Sequence, residues 1–252
     1  MVRGIESFRE WFRGYENQYA IIGGTACDLL MTEEGLDFRA TKDIDLVLIV
    51  EVVDIVFGKR FWDYIIEAGY EHKNKSNGES EFYRFVNPKT KDYPMMIELF
   101  TKKSDSIILP EDAVLTPLPI DEEISSLSAI LLNDDYYELL KQGRIQVAGV
   151  SILDAPFLIP FKAKAWIDLS DRKEAGEPID GKNIRKHKND IFRLSELLSS
   201  DQEPLSFMSD VIRNDMKVFF EKIDSENVDL KQLGIYRKTK ESILEQLRYI
   251  YG

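Results

Sequence analysis

The apolar positions change their period along the chain, and that change sets out the expected architecture. Ile5, Phe8, Trp11, Phe12 and Tyr15 fall three, three, one and three apart, the stripe of an amphipathic helix. Residues 18–22 form a short apolar run broken by Gly23-Gly24, and residues 25–31 resume with helical character, so strand, glycine turn and helix are predicted in that order. Residues 43–50 are β-branched and apolar enough for a central strand. Beyond them the pattern predicts a helix over 61–68 stopped by Gly69, two strands over 81–86 and 95–100 able to form a hairpin, and a strand over 126–132. A helix over 136–142 stopped by Gly143 and one alternating strand over 144–153 complete the mixed part.

From residue 154 the periodicity is helical throughout: 154–171, 188–199, 204–223 and 239–251, with 172–188 reading as a charged, glycine-containing loop. The expected fold class is therefore α/β, a mixed sheet with helices followed by an α-helical half. The expected domains are 1–153, catalytic, and 154–252, helical.

Composition narrows the class. With 252 residues, 44% of them hydrophobic, the chain can bury one or two cores without a covalent staple. The single cysteine, Cys27, cannot form an internal disulfide, which excludes a stapled secreted scaffold and suits a reducing cytosol. Charges run through the N-terminal apolar residues, leaving no signal-peptide core, and the longest apolar runs fall far short of the roughly 20 residues that span a bilayer. A cytoplasmic protein with no membrane partner is expected. The net charge of -12 argues against a surface wholly devoted to polyanions. Within 172–188, however, Arg172, Lys173, Lys182, Arg185, Lys186 and Lys188 face only Glu174, Glu177 and Asp180. That local excess reads either as a grip on RNA phosphates or as a solvated loop.

The chemistry-bearing residues lie around the central strand. Side chains alternate along a strand, so Asp43 and Asp45 share a face while Ile44 takes the other. Two carboxylates held together repel unless a cation neutralises them, and a hard all-oxygen set suits Mg2+ shared with substrate phosphates. The bland alternative is a solvated strand edge. Gly23 and Gly24, between strand and helix, let a triphosphate approach the backbone and the first helical N–H groups, and Thr25 adds a hydroxyl. Glu98, inside the apolar strand Met95-Met96-Ile97-Glu98-Leu99-Phe100, is the candidate third carboxylate; its alternative is a solvent-facing position.

The run Gly23-Gly24-Thr25-Ala26 followed by Arg39-x-Thr41-x-Asp43-x-Asp45 resembles the core signature of the DNA polymerase beta nucleotidyltransferase superfamily, in the form of its AbiEii branch of abortive-infection and toxin-antitoxin enzymes. Lys162-Ala163-Lys164-Ala165, then Arg172, then Lys188-Asn189-Asp190 is similar in order to that branch's second signature, with Asn189 inserted in the Lys-Asp step. The resemblance spans roughly residues 18–198. It implies that Asp43 and Asp45 bind Mg2+ or Mn2+ and that Gly23, Gly24, Thr25 and Arg39 hold the NTP. It further implies that Lys162 and Asp190 complete the site, with Lys162 or Lys164 as the register of the lysine. The implied activity is Mg2+-dependent transfer of NMP from an NTP to an acceptor hydroxyl, on an RNA (tRNA) end, with a cognate antitoxin protein as partner. A nucleotide- or partner-binding relative without activity and an aminoglycoside-type small-molecule nucleotidyltransferase are the alternatives.

Overall fold

The computed structural model describes residues 2–76, 80–102, 116–117, 130–131 and 133–252. Its contacts divide into two units: Met1–Pro119 with Arg144–Asp154, and Ile120–Gly143 with Ala155–Gly252. The α/β class expected from the pattern is the one found.

The strand read as central is central. β2 (Asp43–Leu48) runs parallel to β5 (Met96–Lys102) on one side and antiparallel to β1 (Tyr19–Ile22) on the other. The sheet continues through β4 (Ser80–Val86), β3 (Glu71–Ser76) and β6 (Thr116–Pro117) at one end and through β8 (Val150–Leu153) and β7 (Arg144–Val147) at the other. Its order is β6-β3-β4-β5-β2-β1-β8-β7. The expected pairing of the strands near 81–86 and 95–100 is present as the antiparallel β4–β5 ladder.

One face of this sheet is covered by aromatic side chains. From α1 (Ile5–Trp11) and the residue after it, Phe8 and Phe12 meet Tyr19 of β1, and α3 (Ile55–Ala68) sends Phe61 and Trp62 onto Phe85 of β4. Phe12 is fully buried, its ring 4.5–6.3 Å from those of Phe8, Tyr64, Phe57, Phe61 and Tyr19. Aromatic groups of this size carry most of the apolar area a small unit can bury. Because strand side chains alternate, Arg84 points away from the face that holds Tyr83 and Phe85, and so do its ladder partner Glu98 and that residue's partner Asp45. The pleat thus sorts the apolar residues to one face and the ionisable ones to the other.

Helix limits follow the caps. Asp54 accepts the Phe57 N–H at 2.8 Å to open α3, and Gly69, at φ 65°, closes it. Helix α2 (Gly23–Glu33) starts at the first glycine itself, with no separate turn, and is buried from Gly24 to Met31, Cys27 included. In the second unit, α4 (Asp134–Gln142) is capped by Asn133, α6 (Gly181–Leu194) by Asp180, α7 (Asp210–Ile223) by Ser209, and α8 (Lys240–Tyr251) by a Thr239–Ser242 capping box.

Several expectations are corrected. Residues 144–153 form a hairpin, β7 and β8, because Ala148 (φ 48°) and Gly149 (φ 76°) make the left-handed two-residue turn that reverses a strand. Residues 172–188 are mostly helical: α5 (Ala155–Glu174) runs past 171 and α6 begins at Gly181, so only the short link between them is irregular. The helix placed at 188–199 starts seven residues earlier and ends in a 3-10 turn over Ser195–Leu197, and the one placed at 204–223 starts at Asp210. Strand β3 was not anticipated. The strand expected over 126–132 lies outside the described residues except for Ile130 and Leu131, which are helical. No described helix is long and apolar enough to cross a membrane.

Helix α5 contains Pro160, which has no N–H to give to the carbonyl four residues before it. That carbonyl, on Pro156, instead accepts the hydroxyl of Tyr251 from α8 at 2.7 Å, both groups being buried. Tyr251→Phe leaves a buried carbonyl without this donor, and the expected loss of stability is about 1–3 kcal/mol, read by denaturant unfolding. Tyr236→Phe, whose side chain is 77% exposed, is expected to change nothing in the same measurement.

Candidate active site

Asp43 and Asp45 lie on the same face of β2 as the pattern requires, two residues apart and half-buried. The parallel ladder sets Asp45 opposite Glu98 of β5, and the antiparallel ladder sets Glu98 opposite Arg84 of β4. Three strands therefore present an Asp–Glu–Arg row across one face. The Arg84 guanidinium gives Glu98 Oε1 two hydrogen bonds, from Nε at 2.8 Å and Nη2 at 2.5 Å, with little of either side chain exposed. Burial raises the Glu98 carboxyl well above the usual carboxylate range, and the charge and hydrogen bond of Asp45 push it the same way against the pull of Arg84. Two carboxyl groups so opposed form a donor set that a hard cation fits, since the cation relieves their repulsion.

The glycines are required by contact. Gly23 has φ 70°, in the left-handed region, and a Cβ there would lie 1.7 Å from Oδ2 of Asp45. A Cβ on Gly24 would come to 2.9 Å from Thr41 Oγ1 and 3.2 Å from Arg39 Nη2. The start of α2 is thus pressed against the Arg39-x-Thr41-x-Asp43-x-Asp45 segment, and its N-cap residue is Ile22, whose side chain offers no cap. Thr25 is placed differently from a triphosphate donor: it is fully buried and gives its hydroxyl to the Asp43 carbonyl at 2.5 Å, tying α2 to β2.

Among the described residues no group of three or more His, Cys, Asp or Glu is gathered closely enough to hold a metal ion. Asp43 and Asp45 fit Mg2+ in its usual protein form, one or two carboxylates supplemented by substrate oxygens. Glu98 lies opposite Asp45 and is bound to Arg84 on its other side. Arg84 is the residue that sequence reading missed; a charged residue inside Phe82-Tyr83-Arg84-Phe85-Val86 is the same signal that singled out Glu98.

In the helical unit, Lys162 of α5 donates to Asp190 of α6 at 3.1 Å, the side chains being 5% and 0% exposed, and Arg193 reaches the other Asp190 oxygen at 3.6 Å. Lys164 instead bonds Asp215 of α7 at 2.7 Å, and Tyr136 of α4 donates to the second oxygen of that carboxylate at 3.0 Å. Of the basic residues of 172–188, Arg172 pairs with Asp168 and Glu177, and Lys188 with Glu226.

No family model matches the chain, and no curated protein matches its sequence. Among solved structures it is similar to an antigenic nucleotidyltransferase-like protein from Paracoccidioides brasiliensis, at 17% identity and a TM-score of 0.43 over 94% of this chain and 93% of that one. It is also similar to the Megavirus polyadenylate synthase, at 11% identity and a TM-score of 0.40 over 88% of this chain and 36% of that one. A third likeness is to the antibiotic-resistance factor ANT(2'')-Ia, at 13% identity and a TM-score of 0.37 over 87% of this chain and 92% of that one.

Because the folded Glu98 holds its proton to higher pH than an unfolded glutamate, near 4.3, its contribution to stability is full below that value and declines as pH rises through the folded value. The stability of Glu98→Gln relative to the wild type, both without divalent ions, is therefore expected to climb from pH 4 upward and then level off; a pH-independent difference in denaturation midpoints would contradict it. Lys162→Met removes the nearer cation from the buried Asp190 carboxylate, leaving Arg193 at 3.6 Å, and is expected to cost about 3 kcal/mol in the same assay.

Proposed function

We propose that this chain is a nucleotidyltransferase of the DNA polymerase beta type, moving NMP from an NTP to an acceptor hydroxyl in the presence of Mg2+ or Mn2+. The observation that carries this reading is the contact of the Gly23-Gly24 helix start with Asp45, beside Asp43 on the same strand face. A helix start and a carboxylate pair are brought to one spot, and phosphoryl chemistry uses both.

Within this reading Asp43 and Asp45 hold the metal, which when bound draws charge from the triphosphate oxygens. Gly23, Gly24 and Arg39 receive the phosphates. Thr25 acts by fixing the helix to the strand. Glu98, in its ionised form, takes the proton of the acceptor hydroxyl as its oxygen bonds to the α-phosphorus; the bond from that phosphorus to the bridging oxygen breaks and pyrophosphate leaves. The resemblance also implies a contribution from Lys162 and Asp190, which the helical unit pairs with each other.

For the acceptor we take an RNA end, with tRNA foremost, and the toxin role with a cognate antitoxin that the resemblance implies. A small-molecule hydroxyl is the second reading. It is favoured by the ion pairs of Arg172 and Lys188, which neutralise part of the basic segment that RNA would use, in a chain of net charge -12.

Incubating the protein with Mg2+, each α-labelled NTP in turn and total RNA is expected to label RNA, and the double variant Asp43→Ala, Asp45→Ala to lower that labelling by at least about a thousandfold. Labelling that survives the double variant would remove these aspartates from the reaction. Labelling of small hydroxyl compounds but not of RNA would decide for the second reading.

A further inference from the structure

Helix α3 exposes residues that a surface helix ordinarily buries. Its inner face, with Phe57, Phe61, Trp62, Tyr64, Ile65 and Ala68, is buried, and a helix laid on a core carries polar groups on the opposite side. Ile55, Val56 and Ile66 on that opposite side are instead 62–67% exposed. With Lys59, Asp63 and Glu67, also exposed, they fall one, three, four, three and one apart and make a single stripe along the side of α3 turned away from Phe61. Val56 and Ile66 stand about 15 Å apart along the helix axis, with one cation and one anion between them. Neither Lys59 nor Asp63 is in an ion pair among the described residues.

The stripe is complementary to itself. Positions 56 and 66, and likewise 59 and 63, lie equally far on either side of Phe61. When a second copy of α3 is laid antiparallel about a two-fold axis level with Phe61, its Asp63 comes level with Lys59 and its Ile66 level with Val56, and the reverse pairs follow by symmetry. A parallel pairing in register would set lysine against lysine and aspartate against aspartate. We propose that this face of α3 is an isologous docking surface for a second copy of the chain. A foreign partner would have to repeat both the charge order and the apolar spacing, and a second copy carries them already. The two opposite-charge pairs set the register, while Val56 and Ile66 of each copy supply apolar area. A contact confined to one helix face belongs with small interfaces, under about 1,200 Å2, so the dimer is weak and forms with rising concentration. The proposal is independent of the transfer reaction.

The test is sedimentation velocity of the full-length chain at loadings from about 1 µM to 1 mM. The weight-average mass is expected to rise from monomer toward dimer. Lys59→Asp and Asp63→Lys each bring like charges level with one another, and each is expected to raise the dissociation constant by about tenfold or more. An equimolar mixture of these two variants restores both opposite-charge pairs between unlike copies and is expected to associate within about threefold of the wild type. Ile66→Asp should abolish association. All three side chains are exposed, so the circular dichroism of the variants is expected to match the wild type, which separates loss of the contact from loss of the fold. A chain that stays monomeric at every loading overturns the proposal. A dimer that Lys59→Asp and Ile66→Asp leave intact also overturns it, by placing the contact elsewhere, as does a mixture that associates no more tightly than its two components. None of these outcomes bears on the labelling of RNA or of small hydroxyl compounds, so the transfer reading stands or falls separately.

Discussion

Charge confined within a sheet is the constraint on which the first unit turns. Asp45 and Glu98 are directly opposed on adjacent strands near the middle of an eight-stranded sheet. Like charges so placed destabilise a ladder, and the surroundings answer that problem: a Glu98 carboxyl raised above its usual range, a guanidinium from the next strand, and a helix start pressed on Asp45. The opposite face carries the folding energy through its aromatic rings, so the ionisable row is held by a platform that does not depend on it. The aromatic core and the ionisable row are separated by the thickness of one sheet.

The helical unit solves a similar problem with complete pairs. Lys162 with Asp190, and Lys164 with Asp215 and Tyr136, place opposite charges on neighbouring helices. Such pairs contribute little net energy after desolvation but penalise any other register of the helices. Alternation of Lys162 and Lys164 between two different partners fixes the rotation of α5 as well as its position.

What could be read from the sequence was whatever local rules dictate. The β-branched run at 43–48, the helix stop at Gly69 and the shared face of Asp43 and Asp45 follow from side-chain period and glycine chemistry alone. Glu98 was visible as an acid in an apolar strand. Arg84 carried the same signal and was passed over, because its meaning depends on the register between β4 and β5, which no local pattern encodes. β3, Glu-His-Lys-Asn-Lys-Ser, has no apolar alternation and is a strand through its pairing with β4. The turn at Ala148-Gly149 lacks the asparagine or aspartate that usually marks it. The start of α6 was hidden because its cap, Asp180, stands among charges that read as loop. Thr25 looked like a ligand hydroxyl; only the fold reveals the carbonyl that claims it.

The bond from Tyr251 to the Pro156 carbonyl joins residues 95 positions apart. Helix α5 thus carries a gap in its own hydrogen bonding that only the last helix fills. As the chain leaves the ribosome, the first unit can pair its strands and bury its rings while α5 is still incomplete. The helical unit gains its full cooperativity only once residue 251 has emerged, so its folding trails that of the sheet.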